Sequence, residues 1–260
     1  MKVTAIMNLK GGTAKTVTAI NTAAILSKLY GREVLLIDAD SQGNLSEFTA
    51  KDPEHLNKIP GTAALLCGMP YQIIETKIQD VQLIPGEPEL MGLDISSAKN
   101  GTVNPMALVD VLFSMRGVDR PDMFDHVIID CPPAFSAAAM AALAAADEVV
   151  IPVKLDAFGI RGLTKLVSQI SNMLRVNPDL EIAGVLPTLF YPCPQQREAE
   201  AILRESLQAI DVKCFQHIRR SPSVDASTFE QEALVYFSPK CGACRDYKIF
   251  VRDLIGEEAE

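Results

Sequence analysis

Residues 10–16, KGGTAKT, place two lysines, two glycines and two threonines together near the start of the chain. A short apolar run precedes the stretch and a helix-length segment follows it, which is the setting of a phosphate-binding loop. In such a loop backbone N–H groups converge on anionic oxygens, Lys15 reaches the terminal phosphates and the Thr16 hydroxyl binds Mg²⁺. A plain strand-to-helix turn with a glycine pair and a capping threonine is the competing interpretation.

The stretch departs from the pattern G-x-x-x-x-G-K-[ST] at both glycine positions, which hold Leu9 and Ala14. Glycine before the lysine permits a positive φ or a close approach of phosphate. If φ is positive at Ala14, the alanine costs about 1 kcal/mol or more. A penalty of that size taken from binding would weaken it about tenfold.

Two further stretches end apolar runs in carboxylates. EVLLIDADSQGN carries Asp38 and Asp40, and FDHVIIDCPP carries Asp130. An acidic residue at the carboxyl end of a strand beside a phosphate loop is the expected partner of Mg²⁺. A single strand-end aspartate is more often a turn former or a helix cap. The succession of the loop, Asp-x-Asp and Asp-Cys-Pro-Pro favours a nucleotide site, because chance explains all three poorly.

Apolar runs typical of buried strands alternate with helix-length segments along the chain. The predicted strands are 3–8, 33–38, 81–85, 126–130, 148–153, 181–189 and 212–218. The predicted helices include 15–30, 136–146, 159–176 and 195–210, the first with Gly31 as its C-cap. The alternation predicts a doubly wound α/β fold of the P-loop NTPase type, with a mainly parallel sheet and helices on both faces. We expect one domain over 1–260, with a less regular segment at 41–120.

Composition narrows the class of protein. The 260 residues are 48% hydrophobic and carry a net charge of −9, so bulk charge gives no sign of a basic nucleic-acid groove. The chain starts MKVTAIMN without a signal peptide, and no apolar run reaches the ~20 residues that span a bilayer. Both features predict a cytoplasmic protein with reduced thiols. The pair Cys241 and Cys244 lacks the second pair of a zinc site, so incidental thiols are favoured, and a redox role would need a helix N-terminus and a thioredoxin-like context.

Together these motifs resemble those of the ParA/MinD family of ATPases, whose loop is the deviant Walker A form K-G-G-x-G-K-[ST]. VLLIDADSQGNLS is similar to the second family motif, HVIIDCPP to the third, and ALAAADEVVIPVKLDAFGIRGLTKL to the next strand and helix. The resemblance covers nearly the whole chain, and it looks strongest to partition ATPases that lack an N-terminal DNA-binding domain. It explains Leu9, because that position varies in the family, and it leaves Ala14 and Val17 as departures.

The resemblance implies ATP or ADP with Mg²⁺ as ligands and an ATP-dependent homodimer. The implied catalytic residues are Lys10, which reaches the phosphates of the partner subunit, Lys15, and Asp40, which positions the attacking water. Thr16 and, through water, Asp130 would hold Mg²⁺, with Asp38 in support. The implied phosphate-binding positions are Gly11, Gly12, Thr13, Ala14, Lys15, Thr16 and Val17.

The adenine pocket of the family uses residues after two late strands. Here these lie near Thr188 and in the run IRRSP at 218–222, where family members carry a run like I-P-R-N. The implied base contacts are therefore Thr188, Arg220 and Pro222, the last two on a weaker match. Val17 replaces a hydroxyl residue that touches the α-phosphate in the family, and a lost charge-assisted hydrogen bond costs ~1.5–3 kcal/mol.

The leading prediction is a partition ATPase for a plasmid, chromosome or mobile element, slow in hydrolysis and driven by a centromere-binding ParB-like partner. Two alternatives stay open. One is a nucleotide-binding regulatory or scaffold module with little turnover, which Ala14 and Val17 favour and Asp40 opposes. The other is a MinD-like positioning ATPase, and the acidic C-terminal end disfavours its membrane docking.

Non-specific DNA is a further candidate partner and would imply association with the nucleoid. At a net charge of −9, DNA binding and an ordinary solvated surface are equally compatible with the sequence. The candidate side chains are Lys213, Arg219, Arg220, Lys240, Arg245 and Lys248.

Overall fold

A seven-stranded sheet in the order β3-β4-β2-β5-β1-β6-β7 forms the centre of the computed structural model, which describes residues 1–93, 101–117 and 121–257. Neighbouring strands pair in parallel, except β3 with β4. The strands are β1 Lys2–Ile6, β2 Val34–Asp38, β3 Ile74–Glu75, β4 Val81–Ile84, β5 His126–Asp130, β6 Glu148–Lys154 and β7 Glu181–Thr188. The predicted mainly parallel doubly wound fold is confirmed.

Helices cover both faces of this sheet. The helices are α1 Lys15–Tyr30, α2 Asn44–Thr49, α3 Thr62–Leu66, α4 Ala107–Met115, α5 Ala137–Ala145, α6 Ala157–Met173, α7 Pro194–Gln208, α8 Pro222–Phe229, α9 Leu234–Phe237 and α10 Gly242–Ile255. One core cluster joins α3 to α7 with the sheet, and a second joins α1, α2, α9 and α10 with its other face. None of the helices in the described ranges is both long and apolar enough to cross a membrane.

The strand predicted at 212–218 is wrong as a regular strand. The segment runs beside β7 and meets it through an isolated bridge between Val185 and Cys214. Pro187 in β7 has no N–H to donate, which leaves a gap on this edge of the sheet. The Arg204 guanidinium also donates hydrogen bonds to the carbonyl oxygens of Cys214 and Phe215, at 3.0 and 2.9 Å. A side chain thus replaces part of the hydrogen-bond ladder between strands.

Local signals located the other elements well. The six remaining predicted strands are present with ends shifted by no more than two residues, and α1 has the predicted bounds. Gly31 ends α1 in the left-handed conformation at φ 59°, as expected for a C-cap. The antiparallel β3 was not predicted, because a strand of two residues has no visible periodicity.

Candidate functional site

The carboxyl ends of β1, β2 and β5 bring the predicted site residues to one edge of the sheet. Asp38 lies in register with Asp130, and Asp130 lies in register with Ile6 at the end of β1. Residues 10–16 follow β1 directly, so the loop and both carboxylates share the crevice where open α/β sheets bind ligands. Three motifs that are far apart in the sequence therefore converge on one place.

Hydrogen bonds to neighbouring strands hold the loop in shape. Asn8 donates its Nδ2 to the carbonyl of Pro152 at 2.7 Å and accepts the Lys10 N–H at 2.9 Å. At the other end, the Thr188 hydroxyl at the end of β7 donates to the Thr13 carbonyl at 3.1 Å. The predicted base residue Thr188 thus positions the loop. Asn8 was not predicted, because its role depends on β6 being adjacent.

Ala14 adopts the left-handed conformation, with φ 62° and ψ 30°. φ at Ala14 is therefore positive, which is the case in which the sequence analysis expects a cost. The alanine carries a strain of roughly 1–2 kcal/mol in this conformation. The Thr188 bond to Thr13 and the first helical bond, from the Thr18 N–H to the Ala14 carbonyl, keep the backbone in this conformation. Because protein contacts impose the strain, we expect it to reduce the stability of the chain more than its ligand affinity.

The two loop lysines have different environments. Lys15 is only 7% exposed, and its Nζ lies 3.4 Å from the Lys10 carbonyl, so its charge stays inside the loop. The Lys10 Nζ instead extends to the Asp156 carboxylate, at 2.8 and 2.9 Å from the two oxygens. Asp156 follows β6 at the same edge of the sheet and was missed, although its strand-end position resembles that of Asp40.

Asp38 is buried, and hydrogen bonds to its carboxylate connect three segments of the chain. Its carboxylate accepts from the Ser46 N–H at 2.9 Å, from the Ser46 hydroxyl at 2.7 Å and from the Asp40 N–H at 3.1 Å. The Ser46 oxygen in turn accepts the Gly86 N–H at 2.8 Å. A Cβ at Gly86 would stand 2.8 Å from Asp38 Cγ, so only glycine fits beside this carboxylate. Burial raises the pKa of Asp38 to about 6, and the Ser46 bonds oppose the shift.

Asp130 is the least satisfied carboxylate in the crevice. It is 1% exposed, and its Oδ1 has no hydrogen-bond partner within the described part of the chain. Burial and then the charge of Asp38 raise the pKa of Asp130 to about 8, while Thr16 and Lys15 act in the opposite direction. A buried carboxylate with a vacant lone pair and a neighbouring hydroxyl is the oxygen chemistry that Mg²⁺ prefers. Asp130 and Thr16 therefore fit a magnesium site.

Asp40 lies beyond β2 on the open side of this crevice. Its side chain is half-buried, and within the described residues its carboxylate accepts a hydrogen bond from the Gln42 N–H at 3.1 Å. A carboxylate with remaining acceptor capacity can orient a water molecule. Its position beside Asp38 agrees with the predicted role, which remains a prediction.

A small cleft beside the loop holds part of the predicted base pocket. Ala14, Thr188 and Arg220 line this cleft, whereas Pro222 does not. Pro222 is instead the first residue of α8, which Ser221 caps by accepting the Ser223 N–H. Val17 is half-buried and packs against the core that contains α1 and α10, and its side chain has no group that could donate a hydrogen bond to a phosphate.

Arg219 and Asp246 form the strongest ion pair near the cleft. Asp246 is 1% exposed and accepts from Arg219 Nε at 2.7 Å, from Nη2 at 2.8 Å and from the backbone N–H at 3.0 Å. Such a bidentate, buried contact is structural. This ion pair attaches the wall of the cleft to α10. Arg219, one of the predicted DNA-binding residues, is therefore already paired with a carboxylate.

Comparison with known proteins agrees with this geometry. A family model described as an AAA domain matches residues 1–182. The chromosome partitioning protein ParA of Caulobacter vibrioides is 30% identical, with 100% of this chain and 96% of that protein covered. The chromosome-partitioning ATPase Soj of Thermus thermophilus is 34% identical, with 72% of this chain and 68% of that protein covered.

Two solved structures are similar over almost the full length. Apo McdA from Cyanothece is 25% identical with a TM-score of 0.81, covering 98% of this chain and 100% of that one. Cobyrinic acid a,c-diamide synthase from Mycobacterium smegmatis, with a bound ATP analogue and magnesium, is 27% identical with a TM-score of 0.80, covering 98% and 94%. The sheet and its strand-end loop define a P-loop nucleotide-binding protein. Within that class, the chain belongs to the ParA/MinD family of ATPases.

The strained conformation of Ala14 predicts how substitutions at this position change the stability of the protein. Ala14→Gly removes the Cβ penalty, so we expect the free energy of unfolding to rise by up to about 1 kcal/mol in urea denaturation. We expect ATP affinity, measured by titration calorimetry, to change less than about threefold. Ala14→Val should unfold more easily, because a β-branched residue fits this conformation poorly. A tenfold gain in affinity without a gain in stability would show that the strain acts on binding instead.

The buried carboxylate predicts how stability depends on pH. Asp130 keeps its proton to about pH 8 in the folded chain, whereas an unfolded aspartate releases it near 4. The folded chain therefore binds the extra proton between these values, and stability falls as pH rises, by at most about 1.4 kcal/mol per unit. In urea denaturation of the ligand-free protein, Asp130→Asn should flatten this slope, and Asp179→Asn, at an exposed site, should not. Equal slopes for all three proteins would contradict the raised pKa.

Proposed function

We propose that the protein is a partition ATPase that binds ATP with Mg²⁺, pairs with a second copy of itself and hydrolyses ATP slowly. The observation that carries the proposal is the convergence of Lys15, Asp130 and Asp40 around one loop at the carboxyl edge of the sheet. Partition proteins among the relatives support the cargo class, and the neighbour with a bound ATP analogue and magnesium supports the ligands. We take residues 1–260 as one domain that acts in the cytoplasm.

Each side chain has a role that its position supports. Lys15 and the N–H groups of the loop at Gly11, Gly12 and Thr13 neutralise phosphate oxygens, because α1 begins there without a side-chain cap and its N-terminus attracts anions. When bound, Mg²⁺ neutralises charge on the transferred phosphate. Thr16 and Asp130 would bind this Mg²⁺. Asp38 accepts hydrogen bonds from Asp40 and Ser46 and so fixes the position of both residues.

Asp40 orients the attacking water in this proposal. Phosphoryl transfer needs positioning and charge neutralisation more than a strong base, so a half-buried carboxylate is adequate. Its backbone is held by Asp38 through a 3.1 Å hydrogen bond, and Gly86 packs against its carbonyl. The side chain thus projects from a fixed segment.

Lys10 acts across the dimer in this proposal, as a charge supplied to the phosphates of the partner subunit. Within one chain, its Nζ is bonded to Asp156, which holds the side chain extended at the open edge of the loop. When the dimer forms, the Lys10 ammonium leaves Asp156 and pairs with the phosphates bound to the partner subunit. This exchange is favourable because a phosphate carries more negative charge than a carboxylate.

A turnover experiment tests these roles. Radiolabelled ATP hydrolysis by Asp40→Ala should fall by at least ~100-fold, because the water loses its orienting group, with ATP binding retained. Lys10→Ala should lose both turnover and ATP-dependent dimerisation in size-exclusion chromatography. Asp52→Ala, an exposed carboxylate at the start of a short 3-10 helix, is the matched control. Equal turnover in wild type and Asp40→Ala would refute the role of Asp40, and ATP binding without turnover in wild type would favour the regulatory module.

We also propose a centromere-binding ParB-like protein as the partner that stimulates turnover, and non-specific DNA as a surface for the ATP dimer. The DNA proposal rests on Arg220, Lys240 and Arg245, which are exposed and form no ion pair with a carboxylate within the described residues. Lys213 and Lys248 donate instead to the carbonyls of Asp253 and Pro239. The acidic C-terminal end keeps membrane docking the less favoured alternative.

DNA retention in a salt series tests the surface. With ATP and Mg²⁺ present, Lys240→Glu and Arg245→Glu should each weaken retention on duplex DNA and lower the slope of log K against log salt, by about 0.9 for each lost phosphate contact. Lys51→Glu is the control: it reverses the charge of an exposed lysine that is distant in sequence from Lys240 and Arg245, and it should leave the slope unchanged. Absence of retention at low salt for wild type would remove DNA from the proposal.

A further inference from the structure

The sequence CGAC at 241–244 lies at the start of α10, the last helix within the described residues. Cys241 is the N-cap of α10, and its Sγ accepts the backbone N–H of Cys244 at 3.3 Å. Cys241 is half-buried whereas Cys244 is fully buried. One sulfur is therefore accessible at a helix N-terminus and the other is shielded directly behind it.

Two features of the first turn place positive charge beside Cys241. The N-terminus of a 14-residue helix presents partial positive charge to the capping sulfur. The Arg219 side chain packs against the same turn, since a Cβ at Gly242 would lie 2.7 Å from Arg219 Cδ and 2.9 Å from its Nη1.

Cys244 is suited to the second step of an exchange. Burial raises the pKa of its thiol, so Cys244 does not compete with Cys241 for an external disulfide. The Cys241 sulfur lies 3.3 Å from the Cys244 backbone nitrogen, so the two cysteines share one helical turn. Within the described residues, no group of three or more His, Cys, Asp or Glu side chains gathers at metal-binding distance, which leaves the two thiols to react with each other.

We propose that Cys241 and Cys244 form a reversible dithiol–disulfide site that exchanges with a low-molecular-weight disulfide. The Cys241 thiol gives its proton to solvent, and its sulfur attacks one sulfur of the small disulfide, which forms a mixed disulfide and releases the first small thiolate. The Cys244 sulfur then attacks Cys241 Sγ, and the proton of its thiol passes to the second small thiolate as that molecule leaves. The protein gives up two protons and two electrons, and the small disulfide becomes two thiols. This site is independent of the proposed ATPase function.

The chain contains a matched internal control. Cys193 is also half-buried and also the N-cap of a helix, α7, but residues 194–196 in its first turn are Pro, Gln and Gln. A mixed disulfide at Cys193 has no second thiol in the same turn to resolve it. At Cys241 the resolving thiol is held at a high effective concentration, so the internal disulfide should replace the mixed one.

Oxidised glutathione and peptide mass spectrometry test the proposal on the full chain. Cleavage after lysine separates residues 241–248, with two cysteines, from residues 166–213, which contain only Cys193. After rapid alkylation, the 241–248 peptide should carry at least about tenfold more internal disulfide than glutathione adduct, and dithiothreitol should reverse it. The peptide with Cys193 should show the adduct alone. A stable adduct or unreacted thiols in 241–248, under conditions that modify Cys193, would overturn the proposal.

Single substitutions assign the two sulfurs. Cys244→Ser should trap the glutathione adduct on Cys241, and Cys241→Ser should leave Cys244 unreacted, because that thiol is buried. Serine at 241 is a good N-cap and preserves the helix, which circular dichroism checks. Cys244→Ala provides a second variant if serine is not tolerated in the core. Glutathione incorporation at Cys244 in Cys241→Ser, to the level seen at Cys193, would contradict the assigned order.

Discussion

The burial of two carboxyl groups at the carboxyl ends of adjacent strands is the constraint on which the site depends. The register of β2 with β5 places Asp38 beside Asp130, and both are nearly inaccessible to water. Ser46 and the backbone satisfy Asp38, whereas Asp130 keeps an oxygen without a partner in the described chain. Two adjacent buried carboxylates are both charged at low cost only when a cation compensates, and without one Asp130 keeps its proton to about its pKa of 8. The crevice therefore suits a divalent ion, for which the Thr16 hydroxyl of the adjacent loop would supply a further oxygen ligand.

The loop shows how the family pattern survives a replaced glycine. Ala14 occupies a left-handed position that glycine adopts freely, and neighbouring strands hold it there through Asn8 and Thr188. The surrounding fold thus absorbs a strain of roughly 1–2 kcal/mol, a sizeable fraction of the marginal stability of a domain. Deviation at this position alone is weak evidence against nucleotide binding. The scaffold module remains an alternative because Val17, which packs on the core, supplies no hydroxyl to the site.

Charged residues of the C-terminal region divide into structural and exposed groups. Arg219 fixes the cleft wall to α10 through the buried Asp246, and Arg204 holds the 212–218 segment against α7 and β7. Arg220, Lys240 and Arg245 remain exposed. The first turn of α10 thus joins the cleft wall and the two cysteines in one place.

The sequence alone determined what depends on local chemistry: the alternating strands and helices, the phosphate loop, the strand-end aspartates and the cap at Gly31. Six predicted strands are present because each is a near-continuous apolar run between turn residues. Only the tertiary structure decided what depends on adjacency between distant segments. It replaced the 212–218 strand by a segment bonded to Arg204, paired Lys10 with Asp156, and joined Asp38 to Ser46 and Gly86. It also decided φ at Ala14, because that angle is set by contacts with β7 that no local pattern encodes.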